Sequence, residues 1–326
     1  MSILASWLAS PPLEAALEIS PAAVSVAVLG GRSSNPVVQG YAVEPLPPGA
    51  VTPSLTSTNI ADPDAVARAL DSACQSLGLK PKRVAVVIPD VAAKVSLVRF
   101  DRIPTRRDDL NQLIRWQVKK STPFPVDDAC LTYTAGAHQA GGSEFVVVVA
   151  RRETIREYEG VCERIGIEAG LVDISTFAVI NLFLSSNLGT AGDWLVVHMR
   201  PEYTSIAILR RDDVLFFRNR VEGDTEAMED VVHQTAMYYQ DRLGGSSFAR
   251  VVLSGSSGMS ADAGARVRAQ IEERLGVRVE PLDVRDGVTL RDRISAGPEL
   301  LDVLAPAVGV LLRDTAPSAR KGERVA

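Results

Sequence analysis

The sequence predicts an α/β protein of two lobes built on duplicated halves, with a small αβ subdomain inserted into the first. Three observations carry that expectation. Strand runs at 13–29 and 36–43 precede a helix and the almost continuous apolar strand 82–90, the order of an α/β half-fold. Three more strand runs begin at Asp193, again followed by a helix and an apolar strand, so the second half echoes the first. Between the halves, residues 94–133 hold a strand, helix and strand of their own. The expected boundaries are 1–92 for the first lobe, 93–170 for the insertion, 171–190 for the return to the first lobe, 191–313 for the second lobe and 314–326 for a flexible tail.

Taken in order, residues 1–10 put Ile3, Leu4, Trp7 and Leu8 on one helical face with no Lys or Arg to attract anionic lipid, and read as a short helix capping the body. Residues 44–53, rich in Pro and Gly, read as a surface connection. The helix 61–79 has Asp62 as N-cap, Pro63 at its first position and Gly78 at its end, with Ala65, Val66, Ala69, Leu70, Ala73 and Leu77 facing inward. The apolar run 82–90 suits the centre of a covered sheet.

In the insertion, Val95, Leu97 and Phe100 oppose Lys94, Ser96 and Arg99 along a strand that Pro104 ends. A helix then opens with Thr105 as N-cap and Asp108 and Asp109 in its first turn, where the helix dipole favours acids. Leu110, Leu113, Ile114 and Val118 form its apolar face, Lys119 and Lys120 its last turn, and Pro123 and Pro125 prevent continuation before a strand resumes near Ala129. Residues 143–175 repeat strand, helix, strand, with Gly166 closing the helix. In the second lobe, Arg211 to Asp213 form a hairpin turn, helices span 224–243 and 260–275, strands span 250–255 and 278–284, and a helix at 299–313 carries Pro306 inside it.

Composition narrows the function. A chain of 326 residues with 46% hydrophobic content fills a sizeable core, and with only 5% aromatics that core is Leu, Val, Ile and Ala. A net charge of -5 excludes the basic face of a nucleic-acid binder. Cys74, Cys130 and Cys162 lack ligand spacing and read as reduced thiols of an intracellular protein. His138, His198 and His233 are unpaired, so neither a triad nor a zinc site is expected. No apolar run reaches transmembrane length, and the expected location is cytoplasmic.

One series of features is specific: the acidic helix start, Ile-x-Trp-x-x-x-Lys at Ile114, Trp116 and Lys120, Thr-Pro-Phe-Pro at 122–125, Asp127-Asp128 and then a Tyr-bearing strand. It resembles the type IV pilus assembly protein PilM family, and the resemblance runs more weakly over about residues 12–313. It implies an actin-like, ribonuclease-H-like duplicated fold related to cell-division ATPases. The single helix at 224–243 stands where the family usually carries a further subdomain, so the second lobe is expected to be reduced.

The resemblance also implies a nucleotide cleft between the lobes, formed by two acid-x-Gly turns and a Gly-Gly pair whose backbone approaches phosphate. Here the first turn keeps Glu18 but has Ser20 for glycine, then Pro21, which removes a backbone donor, and Ala22. The second has His198 for the acid and Arg200 for glycine, and the third keeps Gly255 followed by Ser256. These residues read as a degenerate site with no catalytic group and no expected cofactor, Mg-ATP being the alternative. Glu18 then reads as a surface acid and His198 as a hydrogen-bonded turn histidine. The Gly-rich stretches 30–34 and 255–258 complete neither a Walker nor a dinucleotide fingerprint.

A second implication is a groove between the first lobe and the insertion. In the family it receives the N-terminal peptide of PilN, a bitopic inner-membrane protein, by strand addition. The residues that match are Arg99, Arg102, Ile103, Arg115, Trp116, Lys119 and Phe124, with ordinary core the other reading of Trp116 and Phe124. With Arg106, Arg107 and Lys120 the basic members form a cluster in an acidic chain, either a solvated face or a surface for an acidic partner or the inner leaflet. The expected function is a cytoplasmic pseudo-ATPase scaffold of a pilus or type II secretion-like machine, held at the inner membrane through a PilN-like protein, with contacts to other complex members and weak self-association. The alternatives are an active actin-like ATPase of pilus or cell-division type, a filament former, and the cytoplasmic part of a type II secretion platform protein.

Overall fold

A computed structural model describes residues 13, 15–32, 35–139, 142–185, 192–221, 228–256, 261–291 and 297–313. The helix expected at 1–10 and the tail expected at 314–326 lie outside them.

The first sheet holds β1 (Ala15–Ile19), β2 (Ala23–Arg32), β3 (Asn35–Pro45) and β4 (Arg83–Ile88), with β8 (Glu168–Ile174) at one edge. From β3 its order runs β3-β2-β1-β4-β8: β1, β2 and β3 pair antiparallel, β4 and β8 parallel. The second sheet holds β9 (Asp193–Arg200), β10 (Tyr203–Arg210), β11 (Asp213–Val221), β12 (Arg250–Ser254) and β13 (Val279–Pro281) in the order β11-β10-β9-β12-β13, with the same pattern of directions. The halves are therefore duplicated in topology. In each, a hairpin-linked trio is extended by parallel strands reached through helices.

Local chemistry explains the elements. Helix α1 (Pro63–Ser76) starts where the Asp62 carboxylate accepts from the Ala65 amide at 2.9 Å and Pro63 fills the first position. Gly78 adopts φ +63° just past its end. Val66, Leu70 and Ala73 of α1 pack on Leu17, Val24, Val84 and Val86 of the sheet. The connection 44–53 is less exposed than its composition suggests, because Leu46, Ala50 and Val51 are buried.

The insertion is a three-stranded antiparallel sheet of β5 (Ala93–Phe100), β6 (Ala129–Gln139) and β7 (Gly142–Arg151) in the order β5-β7-β6, with α2 (Arg107–Lys119) on one face. Ile114 and Val118 of α2 seat on Val98, Phe145, Val147 and Val149. Side chains alternate strictly along a strand, so Phe100 shares a face with Val98 and packs under α2, while Val95 turns to the first-lobe core. Phe100 does not side with Val95 as the spacing had suggested. The helix begins one residue later than expected, with Arg106 rather than Thr105 in the N-cap position and no side-chain cap.

Two boundaries also move. Helix α3 (Arg152–Glu163) buries Tyr158, Val161 and Cys162 in the first-lobe core, so the compact insertion ends at β7 and not at residue 170. The second lobe does not extend to 313. Strand β14 (Thr289–Leu290) pairs with β3, and α7 (Pro298–Leu311) packs on β1, β2, β4 and α4 (Ser175–Ser185). The reason is the apolar composition of α7, which apart from the half-buried Val303 is buried from Leu301 to Val310: a helix apolar on most sides needs cover on most sides. Strand β13 is shorter than expected and yields to a 3₁₀ turn at Val284–Asp286.

Helices α4 and α7 thus lie in a core shared by both lobes. It joins Ala16, Ala85 and Val87 of the first sheet to Trp194, Val196 and Val252 of the second. On the outer face of the second sheet, α5 (Met228–Leu243) and α6 (Ala261–Leu275) complete a separate core. At the crossing of α4 and α7, a Cβ added to Gly309 would lie 2.0 Å from the Ala178 carbonyl oxygen. Gly309→Ala is therefore expected to cost about 1–3 kcal/mol by overpacking. Urea denaturation checks this, with a lower midpoint at unchanged slope as the expected result.

Candidate functional site

The carboxyl ends of β1, β4, β9 and β12 converge on the first turn of α4, and the polar side chains there form one buried network. Glu18, only 4% exposed, sits near the end of β1. Arg200 closes β9 and reaches across from the second sheet, its Nη2 donating to Glu18 Oε1 at 2.7 Å. Burial is the largest influence on the Glu18 carboxyl and pushes its pKa up, with Arg200 and Ser175 pulling the other way. Burial opposes the Arg200 charge, but Glu18 and further acids outweigh it and raise the guanidinium pKa.

From Glu18 a path of polar contacts runs through the second lobe to α7. Ser175 Oγ donates to Glu18 Oε1 at 3.2 Å and lies 2.9 Å from His198 Nε2. His198 Nδ1 lies 3.1 Å from Ser254 Oγ, which donates to Asp302 Oδ1 at 3.1 Å. Asp302 also accepts from the Gly255 amide, at 2.7 and 2.8 Å. Beside this path, Asp90 follows β4 and caps α4: its Oδ1 accepts from the Thr176 amide at 2.9 Å, and its Oδ2 accepts from the Thr176 and Ser205 hydroxyls. Burial raises the Asp90 pKa, and those donors hold it down in part.

This arrangement does not fit a nucleotide phosphate. The turn after β1 satisfies itself: the Ser20 amide and hydroxyl both donate to the Ala23 carbonyl, and the Ala23 amide donates to Ser20 Oγ. Pro21 has no amide hydrogen, which leaves Ala22 as the turn's one uncommitted backbone donor. Across the cleft the Arg200 side chain stands where a phosphate cradle needs glycine. Gly255, at φ +84°, sits so close to the end of β9 that a Cβ there would lie 1.7 Å from the Met199 carbonyl oxygen. Ser256 follows it, half-buried beside Gly264 of α6. Among the described residues no group of His, Cys, Asp and Glu is placed to hold a metal ion.

The structure thus brings Glu18, His198, Arg200 and Gly255 together and leaves Ser20, Pro21 and Ala22 in the self-bonded turn. It corrects two expectations. Glu18 is not a surface acid and His198 is not a turn histidine, because both lie on strands that end between the lobes. Sequence reasoning missed Asp90, Ser175, Thr176, Ser205 and Asp302. The signal for two of them was a lone acid, Asp90 ending an apolar strand and Asp302 inside an apolar helix, since such acids are buried only with partners.

The residues proposed for a partner groove do not all meet. Trp116 is 65% exposed on the outer side of α2 and Ile103 is 43% exposed in the segment before it, so Trp116 is not core. Arg99, Arg102 and Lys119 are exposed. Arg115 is half-buried, its Nη1 donating to the Val126 carbonyl at 3.0 Å. Phe124 packs partly on the insertion core and lines an open cleft of about 430 Å³ against Thr56 and the start of α3. Arg151, Arg152 and Arg156 line the same cleft and were not anticipated.

His198 yields a pH prediction. Burial, then Arg200, hold its pKa well below the ordinary 6.5, so the folded ring stays neutral where the unfolded ring gains a proton. Below the unfolded pKa the unfolded state binds more protons, and stability falls as pH falls. Between about pH 6.5 and 5.5 the wild type is expected to lose about 1 kcal/mol more than His198→Gln. Paired urea titrations of the two proteins measure the difference.

The chain also has relatives. A family model described as type IV pilus assembly protein PilM matches residues 16–244. Among solved structures the chain is similar to one from a PilM-PilN type IV pilus biogenesis complex, at 18% identity and a TM-score of 0.78, covering 94% of this chain and 100% of that one. It is also similar, at 10% identity and a TM-score of 0.49, to a Bacteroides thetaiotaomicron protein with an actin-like ATPase fold, covering 82% of this chain and 90% of that one. Another similar structure is the cytoplasmic domain of EpsL, an inner-membrane component of the Vibrio cholerae type II secretion system, at 10% identity and a TM-score of 0.46, covering 93% of both chains. The first of these likenesses shows a shared fold, the two-lobed actin-like one that the duplicated sheets describe. Since the family model takes in well over half of the residues, the chain belongs to the type IV pilus assembly protein PilM family.

Proposed function

We propose that this chain is a scaffold of a pilus assembly machine that works without nucleotide. The observation that carries this reading is the Arg200–Glu18 pair, which spans the interlobe cleft from one sheet to the other. A guanidinium cannot be deprotonated to make room, and separating it from Glu18 leaves two buried charges unmatched. The self-bonded turn at Ser20 supports the same conclusion, since it aims few backbone donors into the cleft.

Its partner is the N-terminal tail of a PilN-like inner-membrane protein, taken up between the first lobe and the insertion. The support is family membership and the likeness to the PilM-PilN complex. The scaffold then sits in the cytoplasm, peripheral to the inner membrane through that tail. No helix among the described residues is long and apolar enough to cross a membrane.

Three measurements test these points. Thermal melting with millimolar Mg-ATP is expected to show no shift, whereas occupancy at a hundred times Kd would stabilise by about 2.7 kcal/mol and overturn the nucleotide-free reading. Arg200→Met is expected to lose roughly 3–5 kcal/mol of stability by stranding Glu18, without gaining an ATP response. An immobilised tail peptide of the cognate PilN-like protein is expected to retain the purified chain; failure to do so at micromolar protein removes the partner assignment.

A further inference from the structure

Helix α2 seats Ile114 and Val118 on the insertion sheet. Trp116 stands midway between them, and at about 100° per residue it faces directly away from that core. It is 65% exposed, and Ile103, in the segment leading into the helix, is 43% exposed. Lys119 and Lys120, three and four positions past Trp116, share its side of the helix and are exposed, as are Arg102 and Arg106 near Ile103. The indole adds nothing to the core. Its amphipathic ring suits a boundary between water and an apolar phase.

The charge around it is local. Between positions 101 and 120 six basic residues stand against three acids, in a chain whose net charge is -5. Asp108 and Asp109 occupy the first turn of α2 and Lys119 its last. Those acids lie roughly 10–12 Å along the axis from Trp116, so the end of the helix that carries the indole is the positive one. This surface is the convex outer side of a helix and offers a peptide neither a cleft nor a strand edge. A fluid bilayer needs neither. Long Lys and Arg side chains reach anionic headgroups, and a Trp ring settles at headgroup level.

We infer that the outer face of α2 rests on an anionic bilayer surface, with Trp116 at headgroup level and Lys119 and Lys120, aided by Arg102 and Arg106, on lipid phosphates. One ring and a few charges give shallow, salt-sensitive binding when they act alone. Joined to a tail that is itself anchored in the membrane, the contact becomes intramolecular and strengthens without any new bond. It also turns the insertion toward the bilayer. The lipid contact stands on this face by itself; only its use as a second anchor rests on the scaffold reading.

The test sediments the full chain with vesicles of phosphatidylcholine alone, or with about 30% phosphatidylglycerol, at about 0.1 M salt. Binding to the anionic vesicles is expected to be at least about tenfold tighter, and to weaken by a similar factor in Lys119→Glu/Lys120→Glu, which is expected to melt as the wild type does. Of the three tryptophans, Trp194 is buried, so in a Trp7→Phe background bromine-labelled acyl chains are expected to quench Trp116. Equal binding to both vesicles overturns the inference, as do absent binding, an unquenched Trp116 and a double variant that binds undiminished. Binding of polyglutamate but not of vesicles makes the surface one for an acidic polypeptide and overturns it too. Retention on the PilN-like tail is scored in the same proteins. A chain that holds the tail and ignores vesicles defeats this inference alone; one that binds vesicles and not the tail defeats the partner assignment alone.

Discussion

The Glu18 side chain is 5% exposed and that of Arg200 14%, and a charge placed so far from solvent must be matched. The remaining polar residues of the cleft are arranged around that requirement. Ser175 brings a hydroxyl to the Glu18 carboxyl from the first residue of α4, which is possible only because α4 begins where β1 ends. His198, kept neutral, passes the contact on to Ser254, and Ser254 to Asp302 on α7. Every one of these links joins residues far apart in sequence. The network is therefore satisfied only when both sheets and both inner helices are in place.

The apolar core beneath it sets the distance between the lobes. Helices α4 and α7 are wedged between the two sheets and approach each other closely enough that Gly309 has no room for a Cβ. Dispersion and burial supply the cohesion, and they are indifferent to small sliding motions. The polar network is not indifferent, because a shift that breaks the Arg200–Glu18 bond strands two charges. Packing brings the lobes together, and the buried pair selects one arrangement of them. Side chains from both lobes meet across the cleft.

Much of this was legible in the sequence, and the limits have physical causes. Strand and helix positions followed from periodicity and caps, as with Asp62 and Pro63 ahead of α1. The loss of glycine at Ser20 and Arg200 was readable as the loss of a phosphate cradle. What Arg200 does instead was not readable, since its partner Glu18 lies 182 positions away and only the fold brings them together. The same holds for α7: its apolar surface marked it as buried, but nothing local said that it would leave the second lobe and cover the first sheet. Phe100 lies on the face opposite Val95 because the two stand five positions apart, an odd number that strict alternation along β5 places on opposite faces.

The insertion presents the opposite economy of polar groups. In the interlobe cleft every charge faces a partner, whereas around α2 and the start of α3 arginines, Trp116 and Ile103 remain exposed on a small, well-packed body. Exposed aromatic and guanidinium groups on a rigid support are the groups that carry most binding energy at protein interfaces. The structure therefore separates two tasks along the chain. The duplicated lobes are joined by internal chemistry, a shared apolar core and a polar network across the cleft. The insertion, tied to the first lobe by the Arg151 bond to the Thr56 carbonyl, carries Trp116 and Ile103 exposed to solvent.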